Sequence, residues 1–348
     1  MVTDTRRGSL VWAACSWLAP MKVLLTLGLC LVLGVAGAEP EAPVAPSNTD
    51  QTEASAENLR DQISIAFEAG DYARAIELAT QWIGRQPESA DGYYLRGLVL
   101  GEGQQDYERA AADLAKANRL APDFANAWVA RGWYLILLGR WDEAREVTAQ
   151  AQALAPDSYE SSVNLGHTYL LQGDQETAHR WYRYSLPLIP DEESLLAGPV
   201  ADFELFIERG WRVTAAQKER DWLHRAWAEW EVVEALNQQV LDHYRNGQYH
   251  QAISLVRDQL RRTEILVGTK HPAFSRRLNN LAGLLRATGR YGEAEPLYLR
   301  ALELRKDVLG AKHPDTLASM NNLSNLYASQ GRYEAAEPLY VETLELRK

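Results

Sequence analysis

The chain has 348 residues, with 36 Lys and Arg against 47 Asp and Glu and a net charge of −11. An apolar share of 46%, with 11 Trp, 16 Tyr and 5 Phe, excludes an intrinsically disordered chain, which needs low hydrophobicity. The acidic balance excludes a nucleic-acid binder, because neutralising phosphates takes a basic face.

From Val23 to Ala38 no residue is charged. Lys22 precedes the run, and Ala36-Gly37-Ala38 closes it with the small residues of a signal-peptidase site. The run is shorter than the roughly 20 residues a spanning helix needs. Residues 1–38 are therefore read as a signal peptide, removed on export to the periplasm of a Gram-negative bacterium. An uncleaved inner-membrane anchor is the competing reading. Met21 followed by Lys22 is a complete signal-peptide start, which makes the first 20 residues an upstream extension. Thr5-Arg6-Arg7-Gly8-Ser9-Leu10 has the outline of a twin-arginine signal, but Lys22 interrupts its apolar core.

Cleavage after Ala38 leaves residues 39–348. It removes Arg6, Arg7, Lys22 and Asp4, a net +2, so the charge moves from −11 to −13. Cys15 and Cys30 leave with the leader, so the mature chain has no disulfide frame, thiolate metal site or cysteine nucleophile. Residues 39–55 carry three prolines and no apolar period and are read as a disordered linker.

Next comes an internal period. Ala75, Ala110, Ala144 and Ala178 are spaced 35, 34 and 34, and so are Pro87, Pro122, Pro156 and Pro190. This defines four units, 56–89, 90–124, 125–158 and 159–192. Within 125–158, Trp128, Gly132 and Leu135 give a first helix one apolar side, and Gly139 ends it. Ala144, Val147 and Ala151 mark the inner face of a second helix, which Pro156 stops. Carried by Tyr93, Gly97, Tyr107, Ala110, Ala117 and Pro122, and by Trp128, Gly132, Trp141, Ala144, Ala151 and Pro156, this segment resembles the tetratricopeptide repeat family. The fourth unit departs, with Gln175 in the aromatic place and Pro187 cutting its second helix short. The first has Gln62-Ile63 in place of the Leu-Gly pair.

Residues 193–235 fit neither this period nor the next. Leu223, Ala226, Trp227, Trp230, Val233, Leu236 and Val240 predict an amphipathic helix from about Val213 to Tyr244. Trp211, Trp222, Trp227 and Trp230 are expected to seal a junction; an exposed aromatic patch is the sharper reading.

The second period is 42: Gly247, Gly289 and Gly331, then Tyr249, Tyr291 and Tyr333, then Ala252, Ala294 and Ala336. Lys270-His271-Pro272 answers Lys312-His313-Pro314, and Leu278-Asn279-Asn280-Leu281 answers Met320-Asn321-Asn322-Leu323. Residues 236–348 thus form three units resembling the 42-residue tetratricopeptide variety of kinesin light chains. The resemblance implies an all-α solenoid of helix pairs in two arrays, following the signal peptide and linker.

No His-Glu-x-x-His, Gly-x-Ser-x-Gly or phosphate-loop pattern occurs, so no catalytic, metal or cofactor site is expected, an enzyme with a site at the 193–235 junction being the second alternative. His271 and His313 each precede a proline suited to a first helical turn and are read as loop structure. Stacked helical pairs form a groove lined by first helices. Asn280 and Asn322 hold equivalent places there, with Asn164 in the fourth 34-residue unit. The resemblance implies that these amides contact the backbone of an extended peptide; bonding between helices is the competing reading. Tyr94, Trp133 and His167 are expected on the same surface of the first array, an apolar groove with one switchable group. Leu95 and Ala130 fall where a carboxylate clamp needs polar residues, which disfavours a receptor for chaperone tails. The expected partner is a protein or extended peptide, basic or neutral, with no nucleic acid and no small-molecule substrate. Because the last helix has no polar cap, stacking into a homo-oligomer through the C-terminal repeat is the alternative.

Overall fold

A computed structural model of the chain describes residues 48–347, with side chains from Asn58 onward. The expected signal peptide and residues 39–47 of the expected linker lie outside the described residues. The first helix, α1 (Asn48–Glu68), begins inside the stretch read as linker. Among the described residues there are helices and turns and no strand. They divide into two compact units, one running to Arg220 and one from Asp221, with Leu186–Leu188 counted in the second.

The first unit pairs α1 with α2 (Tyr72–Arg85) and α3 (Ala90–Leu98) with α4 (Tyr107–Leu120). It continues with α5 (Ala125–Leu137) and α6 (Trp141–Leu154), then α7 (Tyr159–Gln172) and α8 (Gln175–Ser185). One turn recurs. Gly70, Gly139 and Gly173 have positive φ, and the next N–H reaches back to the carbonyl of Ala66, Leu135 or Tyr169. This closes the first helix of each pair with its last carbonyls satisfied. The partners then approach through small residues: Ala75, Ala110, Ala144 and Ala178 are fully buried. A Cβ on Gly166 would lie 2.3 Å from the Tyr182 ring.

The 35-residue step has a local cause. Tyr107 follows Gly97 by ten residues, where Trp141 follows Gly132 by nine. A π turn at Val99–Gly103 absorbs the extra residue, and Gln105, at φ 54, stands where the other pairs have glycine. Gly101 is required in that turn because a Cβ would meet the Tyr134 ring at 2.2 Å. The fourth pair ends early: α8 has 11 residues where α2, α4 and α6 have 14, and Pro187 lies just beyond it.

A fifth helix–turn–helix follows where spacing alone showed none. It comprises α9 (Glu192–Leu195), a π turn at Leu196–Val200, α10 (Ala201–Glu208) and α11 (Val213–Arg245). Gly210 repeats the turn, with Trp211 N–H bonded to Phe206 O. One residue is then added: Arg212, at φ 48, delays the second helix and donates from Nε to Leu171 O at the end of α7. Arg220 pairs with Glu204 at 2.6 Å, joining α11 to α10.

In the second unit the remainder of α11 precedes α12 (Tyr249–Val267), α13 (Pro272–Ala287), α14 (Tyr291–Leu309), α15 (Pro314–Ser329) and α16 (Tyr333–Leu346). The longer period shows in α12 and α14, which have 19 residues each. His271 and His313 cap α13 and α15, their Nδ1 atoms accepting from Ala273 and Asp315 N–H at 2.9 and 3.1 Å. Pro272 and Pro314 occupy first-turn positions whose N–H would have no partner. Val256, Leu285, Tyr298, Met320 and Leu326 fill the core. Trp227 and Trp230 are buried, so neither belongs to an exposed aromatic patch.

Candidate functional site

On the first unit, the structure corrects part of the expected groove. Trp133, Asn164 and His167 are buried. For His167 the cause is the fifth helical pair, which spacing had not revealed. It sets Phe203 and Phe206 edge-on to the His167 ring, with centroids 5.3 and 4.8 Å away. His167 Nε2 lies 3.1 Å from Asp202 Oδ2, and its Nδ1 lies 3.0 Å from Tyr182 Oη. Both ring nitrogens therefore have a hydrogen-bonding partner inside the core. The imidazole is a link in the core, not a group facing a ligand. Asn164 donates to Val129 O at 3.3 Å and ties α7 to α5.

What stays accessible on this face is a group of half-buried residues. Tyr94 on α3 lies with its ring centroid 4.7 Å from that of Phe124. Burial pushes its phenol up to about 12, with the Asp91 and Glu160 carboxylates adding to the effect. Tyr159 and Glu160 open α7. Glu160 accepts a hydrogen bond from Ser158 Oγ at 2.8 Å, and burial raises its carboxyl above the usual carboxylate range.

On the second unit the asparagines form two ladders at the 42-residue step. The outer ladder is Gln238, Asn280 and Asn322. Gln238 and Asn280 are exposed; Asn322 is half-buried and donates to Asn279 Oδ1 at 3.5 Å. The inner ladder joins helices. Asn237 Oδ1 accepts from Arg277 Nη1 at 2.7 Å and from Gln259 Nε2 at 2.9 Å, and Asn279 Nδ2 donates to Ser319 Oγ at 2.8 Å. Buried Arg305 adds bonds to Ser275 Oγ, Asp315 O and Ser319 Oγ. Burial lowers the Arg277 pKa against the pull of Glu234, which it meets at 2.5 Å. The structure separates the adjacent amides at one step, where Asn279 is structural and Asn280 faces outward; Asn322 instead bonds back to Asn279 across the helices, the competing reading of its role. Gln238 and Asn237 escaped sequence reasoning, although their 42-residue offset from Asn280 and Asn279 was there to find.

Among the described residues, no group of three or more His, Cys, Asp or Glu is placed to hold a metal ion. No described helix is long and apolar enough to cross a membrane.

Tetratricopeptide repeat profiles match residues 60–100, 90–124, 125–158, 160–183, 237–308 and 274–348. The chain belongs to the tetratricopeptide repeat family. No curated protein matches it. Among solved structures, the TPR2B domain of yeast Sti1 in complex with pHsp70 is 24% identical, over 32% of this chain and 94% of that one, with a TM-score of 0.31. The second TPR domain of human RPAP3, in complex with an HSP70 peptide, is 26% identical over 34% and 97%, with a TM-score of 0.32. MamA from Desulfovibrio magneticus RS-1 is 20% identical over 49% and 95%, with a TM-score of 0.38.

Proposed function

We propose that this chain is a non-enzymatic scaffold of the bacterial cell envelope that binds proteins or extended peptides along the first helices of its repeats. The observation that carries the reading is the outer amide ladder. Gln238, Asn280 and Asn322 recur once per repeat, and Asn280 is exposed. An amide offers a donor and an acceptor, which suits the backbone of an extended ligand. Groove contacts supply specificity and no bond is made. The envelope placement rests on the Val23–Ala38 run.

The test replaces Asn280 and Asn322 by Ala and compares partners captured from an envelope extract, with circular dichroism as the folding control. Loss of partners by a folded variant supports the reading. An unchanged partner set with unchanged affinities shows that the ladder does not bind.

A second reading, self-association through the C-terminal repeat, is favoured by one comparison. Tyr340 and Leu344 are 38% and 61% exposed, whereas Tyr298 and Leu302, one repeat earlier, are 2% and 8% exposed. Light scattering of Leu344→Glu against the parent chain tests it. A parent that is already monomeric rules it out.

A further inference from the structure

We infer that Gly283 is a positioning residue for the ligand: it lets the main chain of a bound extended peptide lie against α13 within reach of the Asn280 amide. The inference rests on the peptide-binding reading above and adds where along the first helices the ligand comes closest.

The glycines of the other first helices have a reason inside the fold. A Cβ on Gly92 would lie 3.1 Å from Ile83, on Gly97 3.0 Å from Leu114, on Gly132 3.2 Å from Thr148 and on Gly166 2.3 Å from Tyr182. Gly283 has no neighbour so close. It lies inside α13, four residues before its end, and its φ is not positive. A Cβ there would meet Tyr298 Oη at 3.5 Å, an ordinary contact distance. Glycine in a helix interior gives up stability that alanine would supply. At Gly283 the chain accepts that loss although the fold has room for a methyl group.

The position on the helix supplies a reason outside the fold. Leu281, Ala282, Leu284 and Leu285 are buried, and the open side of α13 is formed by Arg276, Asn280, Gly283 and Ala287. Gly283 lies one turn beyond Asn280, so the two are neighbours on the helix surface. An asparagine amide stands close to its own helix, so a backbone bonded to it must lie close too. A side chain one turn further on would hold that backbone off. Arg276, the one long side chain of the four, pairs with Glu234 on α11 at 3.2 Å.

The neighbouring repeats are built differently at this place. Leu241 stands three residues after the longer amide of Gln238, and Asn325 stands three after Asn322. Asn325 accepts from Tyr340 Oη at 2.7 Å, and Asn322 donates to Asn279. Among the first helices of the second unit, α13 alone combines a short exposed amide with a bare turn beside it. A peptide backbone uses both features: its N–H and C=O pair with the amide, and the glycine lets it approach.

The probe is a pool of acetylated, amidated decapeptides of random uncharged residues, passed over the immobilised full chain. Urea unfolding is followed on the same proteins. Gly283→Ala should unfold at a higher urea concentration than the parent, because alanine is the better helix former. It should nevertheless retain the pool about tenfold less, since a methyl group intrudes on a close contact. A purely structural glycine would not give these opposite signs. Gly84→Ala, in the first unit, should gain stability and retain the pool as the parent does. Unchanged retention by Gly283→Ala, a loss of stability in it, or an equal loss of retention in Gly84→Ala overturns the inference and leaves the scaffold reading standing. A parent that retains no peptide overturns both.

Discussion

Arg277 donates from Nη1 to Asn237 Oδ1 at 2.7 Å, across an interval of forty residues, and Asn279 meets Ser319 across the same interval one repeat later. The inner amide ladder thus clips consecutive first helices by a contact that recurs with the repeat. At the first step the clip is an ion pair, because Arg277 also reaches Glu234. Arg277 is 1% exposed, so its removal strands partners and leaves a cavity. Arg277→Ala should cost about 3 kcal/mol in urea unfolding. Arg276→Ala, which loses only an exposed pair with Glu234, should cost under about 1 kcal/mol.

Close approach within the fourth pair gives a second prediction. A Cβ on Gly166 meets the Tyr182 ring, which is buried and bonded to His167, so the ring cannot retreat. Gly166→Ala should destabilise by about 3 kcal/mol. Gly84, near the end of α2, has nothing within 4 Å of its Cβ position and no positive φ. Gly84→Ala should stabilise by about 0.5–1 kcal/mol. Thermal unfolding followed by circular dichroism checks both.

Glu160 makes stability depend on pH in a defined direction. Its folded-state pKa lies above the ordinary 4.5, chiefly through burial, so the folded chain favours the protonated form. The contribution is fully favourable below pH 4.5 and is lost as pH rises through the folded value. Glu160→Gln cannot ionise. It should therefore match the parent near pH 4 and exceed it in stability at pH 7.5. Denaturant titrations of both chains at the two pH values measure this, and equal stability at pH 7.5 would contradict it.

The fold was legible wherever small residues and turn glycines recur, because close helix contacts and left-handed turns tolerate few alternatives. Ala75, Ala110, Ala144 and Ala178 mark four pairs, and Gly247, Gly289 and Gly331 mark three turns. The fifth pair escaped because the Gly198-Pro199 turn and the added Arg212 shift its residues out of register. That omission carried the error at the site. Whether His167 faces a ligand or the core depends on Asp202, Phe203 and Phe206, which no periodicity placed. The outer asparagines were legible because they repeat. The division between the exposed Asn280 and the clipping Asn279 was not, since adjacent asparagines differ only in the side of the helix they occupy.

The central claim is that ligands lie along the first helices of the second unit. A photo-reactive amino acid placed at Asn280, and separately at exposed Leu299 on the second helix α14, tests it in intact cells. The account predicts a discrete cross-linked protein or peptide from position 280 and none from 299. Cross-linking from 299 alone, or from neither position in a folded chain, would contradict it.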